Sequence, residues 1–181
     1  MTNWSKVAKR IRVPLGFAFA VFYFWLASPT WTSILWGSLA VAAGLTIRAF
    51  ASGHVQKNEQ LTTSGPYAYV RNPLYTGSVI LGFGFAIAAR TVWVYVAMVV
   101  LFLGIYLPVV VSEENFLRDR FPEFSDYSRH VPRFLPRLHP FRGTSSGTFS
   151  SELYWKHREY NALLGSIGVV LVLIIKLWYL R

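Results

Sequence analysis

The sequence has no cysteine and few charged side chains. Without cysteine in its 181 residues, disulfide bonds, thiolate nucleophiles and thiolate metal sites are excluded. Charged residues make up 14% of the chain, well below the share of about a quarter in soluble globular domains. Acidic residues are especially scarce, since 8 Asp and Glu stand against 18 Lys and Arg, a formal net charge of +10. The four histidines do not show the close sequence spacing of metal ligands. They are His54, His130, His139 and His157.

Apolar residues make up 54% of the chain and come in long blocks. A membrane-spanning helix needs about 20 such residues, and the first and third blocks are slightly shorter than that. The turns at Ser28-Pro29 and Arg90-Thr91 are so short that the helices on either side must form antiparallel hairpins. We therefore expect one all-α domain over residues 1–181, a polytopic transmembrane bundle with about five spans and no Rossmann domain. The blocks are Val13–Ala27, Trp31–Ala51, Leu74–Ala89, Val92–Val111 and Ala162–Leu180.

Basic residues divide unequally between the two sides of such a bundle. With the N-terminus inside, every one of the 18 Lys and Arg lies on the inner side except Arg90, Lys176 and Arg181. The positive-inside rule therefore predicts a cytoplasmic N-terminus. The same division explains the net charge without nucleic acid, so membrane lipids are the expected partners. No small-residue cleavage site follows the first block, which indicates a retained span and not a signal peptide.

The segment Gly65–Gly77, immediately before the third apolar block, combines glycines, prolines, tyrosines and an arginine. Pro73 suits the first turn of a helix, because its missing N–H would have no helical partner there. That helix would present its positive N-terminal end near Arg71, an arrangement that suits a carboxylate or phosphate. An interfacial anchor of aromatic and basic side chains explains the segment equally well.

Adjacent glutamates end the fourth apolar block. Glu113 and Glu114 are costly there unless they meet water or a cationic partner. Glu114 could pair with Arg118 one turn later, which leaves Glu113 for a cationic ligand. Inside the third block, Gly82 and Gly84 favour close helix packing; a bare strip for a flat ligand is the alternative.

A Pro-rich segment follows the glutamates. Arg133 stands between Pro132 and Phe134, and this setting is typical of an anion clamp. A contact with a lipid headgroup is the more common role of a lone basic residue at this face.

Taken in order, these motifs resemble the isoprenylcysteine carboxyl methyltransferase family and its phospholipid methyltransferase relatives. The resemblance covers Arg48–Pro136 and leaves out the last span, about residues 161–181. It implies an integral membrane enzyme that transfers a methyl group from S-adenosylmethionine to a lipophilic acceptor from the bilayer. The compact chain points to a prokaryotic cytoplasmic membrane with the active site on the cytoplasmic side. The motifs are Gly65–Tyr67, Arg71–Gly77, Gly82–Gly84, Glu113–Leu117, and Tyr127 with Val131–Phe134.

The resemblance also implies roles for individual residues. The implied catalytic residues are Glu114, Arg133 and Tyr127, and no metal is expected. Asn72 stands where many members have His, which argues against a base at that position. The implied cofactor-binding residues are Tyr67, Arg71, Asn72, Pro73, Tyr75, Gly77, Gly82, Gly84, Glu113 and Glu114.

The acceptor and two other functions stay open. A carboxylate acceptor needs no base and only positioning by Arg133, whereas an amine or thiol needs a proton acceptor such as Glu114. A membrane sterol-type reductase with a reduced nicotinamide cofactor shares part of the pattern, and a non-catalytic lipid-binding protein could retain all of it. The paired glutamates and the small size favour the methyltransferase, because a reductase should offer more basic groups to the nucleotide phosphate.

Overall fold

A computed structural model describes residues 3–56, 59–143 and 147–179. All regular secondary structure in these ranges is helical, which confirms the all-α prediction. A 3₁₀ turn covers Gly65–Ala68, and a π-helical turn at Phe102–Tyr106 joins two helices into a continuous one of 29 residues, Val92–Arg120. The α-helices are α1 (Asn3–Leu26), α2 (Trp31–Ser52), α3 (Pro73–Ala89), α4 (Val92–Leu101), α5 (Leu107–Arg120), α6 (Phe124–His130), α7 (Ser151–Lys156) and α8 (Tyr160–Tyr179).

Three of the described helices are long and apolar enough to cross a membrane: α2, α8 and the continuous helix Val92–Arg120. Helices α1 and α3 carry shorter apolar stretches, Pro14–Leu26 and Pro73–Ala89. The expectation of a helical membrane protein is therefore confirmed, whereas the count of five spans is not and stays a prediction. The two predicted hairpin turns do join α1 to α2 and α3 to α4. Leu180, the predicted end of the last span, lies outside the described residues.

The chain folds into two compact units, and several helices contribute residues to both. Unit 1 contains Met1–Val41, Gly82–Phe116 and Ile167–Arg181, and unit 2 contains Ala42–Leu81 and Leu117–Ser166.

Unit 1 has an apolar core in which small residues of α3 meet larger side chains. The Tyr23 hydroxyl donates a hydrogen bond to the Phe85 carbonyl at 2.9 Å, and the Ser33 hydroxyl donates to the Ala88 carbonyl at 3.1 Å. Lys176 of α8 donates to the Phe24 carbonyl at 2.6 Å. That lysine supplies a positive charge and a donor to the C-terminal end of α1, where carbonyls lack helical partners. The core residues are Tyr23, Ala27, Ile34, Ala86, Ala88, Ala89, Val94 and Leu173.

Unit 2 is fastened by an ion pair between α2 and the residue that precedes α8. The Arg48 guanidinium donates to both carboxylate oxygens of Glu159, with its Nη2 at 2.8 Å from Oε1 and from Oε2. Arg48 also donates to the Ser78 hydroxyl at 2.5 Å and to the Leu74 carbonyl at 3.4 Å, both on α3. One arginine therefore ties α2 to α3 and to the start of α8. A separate apolar cluster is built on Phe124, Tyr127 and Val131.

Candidate functional site

The Gly-Pro-Tyr motif of unit 2 forms a tight turn whose shape depends on Gly65. This residue has a φ of +57°, in the left-handed region that favours glycine. A Cβ added there would lie 2.5 Å from ring atoms of His54, so a larger residue would also collide. The 3₁₀ turn that begins at Gly65 has Pro66 near its start and buries Tyr67 and Ala68. The motif therefore holds the backbone of Tyr67 in one conformation.

Helix α3 begins at Pro73, as the sequence predicts. The ring of Pro73 is fully buried, and the Thr76 amide donates to the Asn72 carbonyl at 2.9 Å to close the first turn. Arg71 and Tyr75, on either side of this start, are half-buried. The positive end of the helix dipole and a guanidinium thus occur within a few residues of each other, which favours an anion.

Hydrogen bonds join this segment to the Val-Pro-Arg-Phe motif. The side-chain amide of Asn72 is one of the donors, so its observed role is to hold the backbone of Arg133. Three successive carbonyls are engaged: Pro132 accepts from the Arg71 amide at 2.9 Å, Arg133 from Asn72 Nδ2 at 3.3 Å, and Phe134 from the Thr76 hydroxyl at 3.1 Å.

Tyr127, which belongs to a third motif, also lies in unit 2 and makes a buried hydrogen bond there. Its side chain is 3% exposed, and its hydroxyl donates to the carbonyl of Tyr67 at 2.8 Å. A buried carbonyl left without a donor would be costly. This hydrogen bond ties α6 to the turn that contains Tyr67.

The glycines of α3 meet different neighbours. A Cβ on Gly77 would lie 2.7 Å from the Arg48 side chain and 2.8 Å from the Gly44 carbonyl of α2. A Cβ on Gly84 would lie 2.6 Å from the Gly37 carbonyl, also of α2. Backbone atoms of α2 lie against both glycines, so the geometry favours the helix-packing interpretation for Gly84 and shows a similar close approach at Gly77.

Gly82 differs from the other two glycines, because a Cβ there would meet only the flexible end of Met98, at 2.6 Å from its Cε. A flexible thioether can move aside, so the surroundings of Gly82 are compatible with either interpretation.

The two glutamates lie on α5 in unit 1 and differ in burial. Glu114 is 3% exposed, whereas its neighbour Glu113 is half-buried. This difference agrees with the separation of about 100° expected for adjacent helical residues. Next to them, Ser112 is 6% exposed, and among the described residues its hydroxyl has no hydrogen-bond partner. The sequence-predicted carboxylates therefore come with a buried polar atom that the sequence did not single out.

The structure brings one part of the predicted set together within unit 2. The remaining predicted residues belong to unit 1 and are Gly82, Gly84, Glu113 and Glu114. Sequence reasoning missed the contributions of Thr76 and Arg48. A signal for Arg48 was present, because a charged residue inside an apolar block requires a partner. The residues in unit 2 are Tyr67, Arg71, Asn72, Pro73, Tyr75, Gly77, Tyr127 and Arg133.

The sequence profile of the phospholipid methyltransferase family matches residues 22–123, more than half of the chain. The chain belongs to this family. The match confirms the predicted resemblance and includes the Gly65–Gly77 segment and both glutamates. It ends before Tyr127 and Arg133, whose roles continue to rest on the motif resemblance. No solved structure matches the chain.

Two curated bacterial relatives have names that refer to metal resistance. The cobalt-zinc-cadmium resistance protein CzcN of Cupriavidus metallidurans is 37% identical over 111 residues, 61% of this chain and 50% of the relative. The nickel-cobalt-cadmium resistance protein NccN of Alcaligenes xylosoxydans xylosoxydans is 32% identical over 123 residues, 67% of this chain and 57% of the relative. The chain thus spans about half the length of the curated relatives it matches.

Proposed function

We propose that the protein is an integral membrane methyltransferase that uses S-adenosylmethionine to methylate a lipophilic acceptor taken from the bilayer. The observation that carries this proposal is the attachment of Arg71–Thr76 to Pro132–Phe134 in a chain of the phospholipid methyltransferase family. The family resemblance assigns the first of these segments to the cofactor and the second to the acceptor. The hydrogen bonds between these segments would hold the cofactor-binding segment and the acceptor-binding segment in a fixed position relative to each other.

The side chains of unit 2 fit the anionic and aromatic parts of the cofactor. S-Adenosylmethionine carries a carboxylate, an ammonium, a sulfonium and an adenine ring. Arg71 and the N-terminal end of α3 favour the carboxylate. Tyr67 and Tyr75 offer aromatic faces, on which a flat ring or a cation is stabilised.

The carboxylates of α5 fit the cationic parts of the same molecule. Glu113 and Glu114 are negative groups in an apolar helix, where a cationic ligand would offset their desolvation. The buried Ser112 hydroxyl adds a polar atom that a ligand could satisfy. This assignment of α5 rests on the family resemblance and on the chemistry of the three side chains.

When bound, the cofactor supplies an electrophilic methyl group on a sulfonium centre. The protein must then orient the acceptor, exclude water and take up any proton released. We assign proton uptake from an amine or thiol to Glu114, because it is the most buried carboxylate. A carboxylate acceptor releases no proton, and Arg133 would then orient it by charge-assisted hydrogen bonds. Tyr127 acts through Tyr67.

Calorimetric titration of the purified protein in detergent tests the cofactor. We expect saturable binding of S-adenosylhomocysteine that is abolished by Glu113→Ala and by Arg71→Ala. The matched controls are Glu123→Ala and Arg120→Ala, which remove exposed charges outside the predicted set and should bind as the unaltered protein does. Thermal unfolding of each variant separates a lost contact from a lost fold.

The other functions are distinguished by the same titration. Binding of reduced nicotinamide cofactor without S-adenosylhomocysteine would replace the methyltransferase by the sterol-type reductase. If neither ligand bound to well-folded protein, the non-catalytic lipid-binding function would take the lead. Retention of full function in cells by Glu114→Ala and Arg133→Ala variants would point the same way.

The names of the two relatives suggest a physiological setting for the reaction. We infer that methylation of a membrane component contributes to tolerance of divalent transition metals in a bacterial cytoplasmic membrane. Growth on zinc, cobalt and cadmium should then depend on the same side chains as binding does. A Glu113→Ala strain as tolerant as the parent would separate the enzyme activity from metal resistance.

A further inference from the structure

One stretch of unit 2 contains several basic residues and no acidic ones. Between Asp126 and Glu152 there is no acidic residue, in a chain that has 8. Arg129 and Arg142 are exposed, and Arg133 and Arg137 are half-buried. A stretch of this composition attracts an anionic partner or surface.

The same stretch exposes two large apolar side chains. Leu135 is 79% exposed and Leu138 is 92% exposed. They lie in the segment Val131–Phe141, here called the leucine loop, which contains Pro132, Pro136 and Pro140. Two exposed leucines three positions apart offer apolar surface to an environment outside the chain.

Hydrogen bonds to the backbone of the loop hold the leucines in this exposed position. Before the leucines, the Phe134 carbonyl accepts from the Thr76 hydroxyl at 3.1 Å. Between the two leucines, the Arg137 amide donates to the Tyr69 carbonyl at 3.0 Å, and after them the Phe141 amide donates to the Ala68 carbonyl at 2.9 Å. The loop is thus fastened before and after its leucines.

The attachment points also place the loop at one end of an apolar helix. Ala68 and Tyr69 precede α3, and Thr76 lies in its first turn. The change from a polar segment to an apolar helix marks the position of the membrane–water boundary. Exposed leucines interleaved with arginines are the composition expected of a segment that lies in this boundary.

We propose that the leucine loop inserts Leu135 and Leu138 into the boundary between the headgroups and the acyl chains of an anionic bilayer, while Arg129 and Arg142 contact lipid phosphates. The charge of the stretch and its attachment to the start of α3 favour a lipid surface over an acidic protein partner. The inference does not depend on methyl transfer, because none of these four residues belongs to the proposed cofactor set.

Because the chain has no cysteine, a single introduced thiol can be labelled specifically to test the proposal. Leu138→Cys gives a single thiol, which can be labelled with an environment-sensitive fluorophore in nanodiscs of phosphatidylcholine with or without phosphatidylglycerol. Ser125→Cys, exposed on α6, is the matched control. We expect a blue shift and several-fold weaker iodide quenching at position 138 than at position 125, with the larger effect in anionic discs. Equal quenching at the two positions in both kinds of disc would overturn the proposal.

A charge variant tests the role of the arginines. In labelled Leu138→Cys protein, Arg129→Gln with Arg142→Gln should weaken the insertion by about fivefold for each charge removed. Arg120→Gln with Lys156→Gln removes two exposed charges elsewhere in unit 2 and should leave insertion unchanged. Equal effects of the two pairs would contradict the proposed phosphate contacts. Protection of the fluorophore at position 138 from iodide only after native membrane proteins are added would identify a protein partner. That result would contradict insertion into the lipid bilayer.

Discussion

Arg48 and Glu159 illustrate how one pair of side chains can decide local order. Their side chains are 22% and 11% exposed, and each charge offsets much of the cost of removing the other from water. A charge left alone in such a place is strongly destabilising, even where the intact pair adds little net stability. The pair also joins the family core to the C-terminal residues, which the family match does not reach.

We therefore expect Glu159→Gln to destabilise the protein by about 3 kcal/mol, the lower end of the range for breaking a buried ion pair. Thermal unfolding in detergent would show this as a fall of several degrees in the midpoint. Glu59→Gln is the matched control, because Glu59 faces Lys156 at 3.8 Å with both side chains 64% exposed. It should change stability by no more than about 0.5 kcal/mol. Equal shifts for the two variants would show that burial does not set the strength of the Arg48 pair.

At the scale of elements, the approach of α2 to α3 depends on glycine. A Cβ on Gly44 would lie 2.6 Å from the Gly77 carbonyl and from the Leu81 amide nitrogen. These are backbone atoms of a helix, so they cannot rotate away as a side chain would. Helix α3 carries most of the Arg71–Gly77 motif at its N-terminal end, and its position therefore matters for the proposed site.

Gly44→Ala should cost about 1–3 kcal/mol through overpacking and should also weaken binding of S-adenosylhomocysteine. The control is Gly168→Ala in α8, where nothing lies within 4 Å of an added Cβ. Alanine is a better helix former than glycine by about 1 kcal/mol, so the control should be neutral or slightly stabilising. Unfolding and calorimetry on the two variants check both parts. A neutral Gly44→Ala would mean that the two helices can separate without loss.

At the scale of the whole molecule, the open question is how many helices cross the membrane. If α3 spans it, residue 91 and residue 60 lie on opposite sides; if it does not, they share a side. We predict opposite sides, as the distribution of basic residues suggests.

Thr91→Cys and Gln60→Cys each introduce the only thiol of the chain. In intact bacterial cells, a membrane-impermeant thiol reagent should label the first and not the second. Labelling of both in opened cells is the control for reactivity. The same result at both positions in intact cells would reduce the number of spans below five.

Part of this protein could be read directly from local sequence. Helices α2, α3 and α8 follow the predicted apolar blocks to within two residues at each end, and α3 starts at Pro73 as expected. Apolar length and the missing N–H of proline are properties of a short stretch of chain, so they act before any distant contact forms. The motifs that indicate the family are local in the same sense, each being a few residues long.

The side of the helix on which the two glutamates lie could not be predicted from local sequence. A π-helical turn at Phe102–Tyr106 precedes them, and such a turn adds one residue to the helix. The residues that follow are rotated by about 100° relative to an uninterrupted α-helix. Periodicity counted from the start of the apolar block therefore does not predict which side of the helix Glu113 and Glu114 face.

The sequence alone determined the helical class, the apolar blocks and the family, because hydrophobic length and short motifs do not depend on distant partners. Only the tertiary structure decided that Asn72 holds a carbonyl, that Tyr127 supports Tyr67, and that Arg48 meets Glu159. The last two contacts join residues separated by 60 and 111 positions. Spacing along the chain does not encode which of many polar groups a distant donor will meet; the packing of helices determines it.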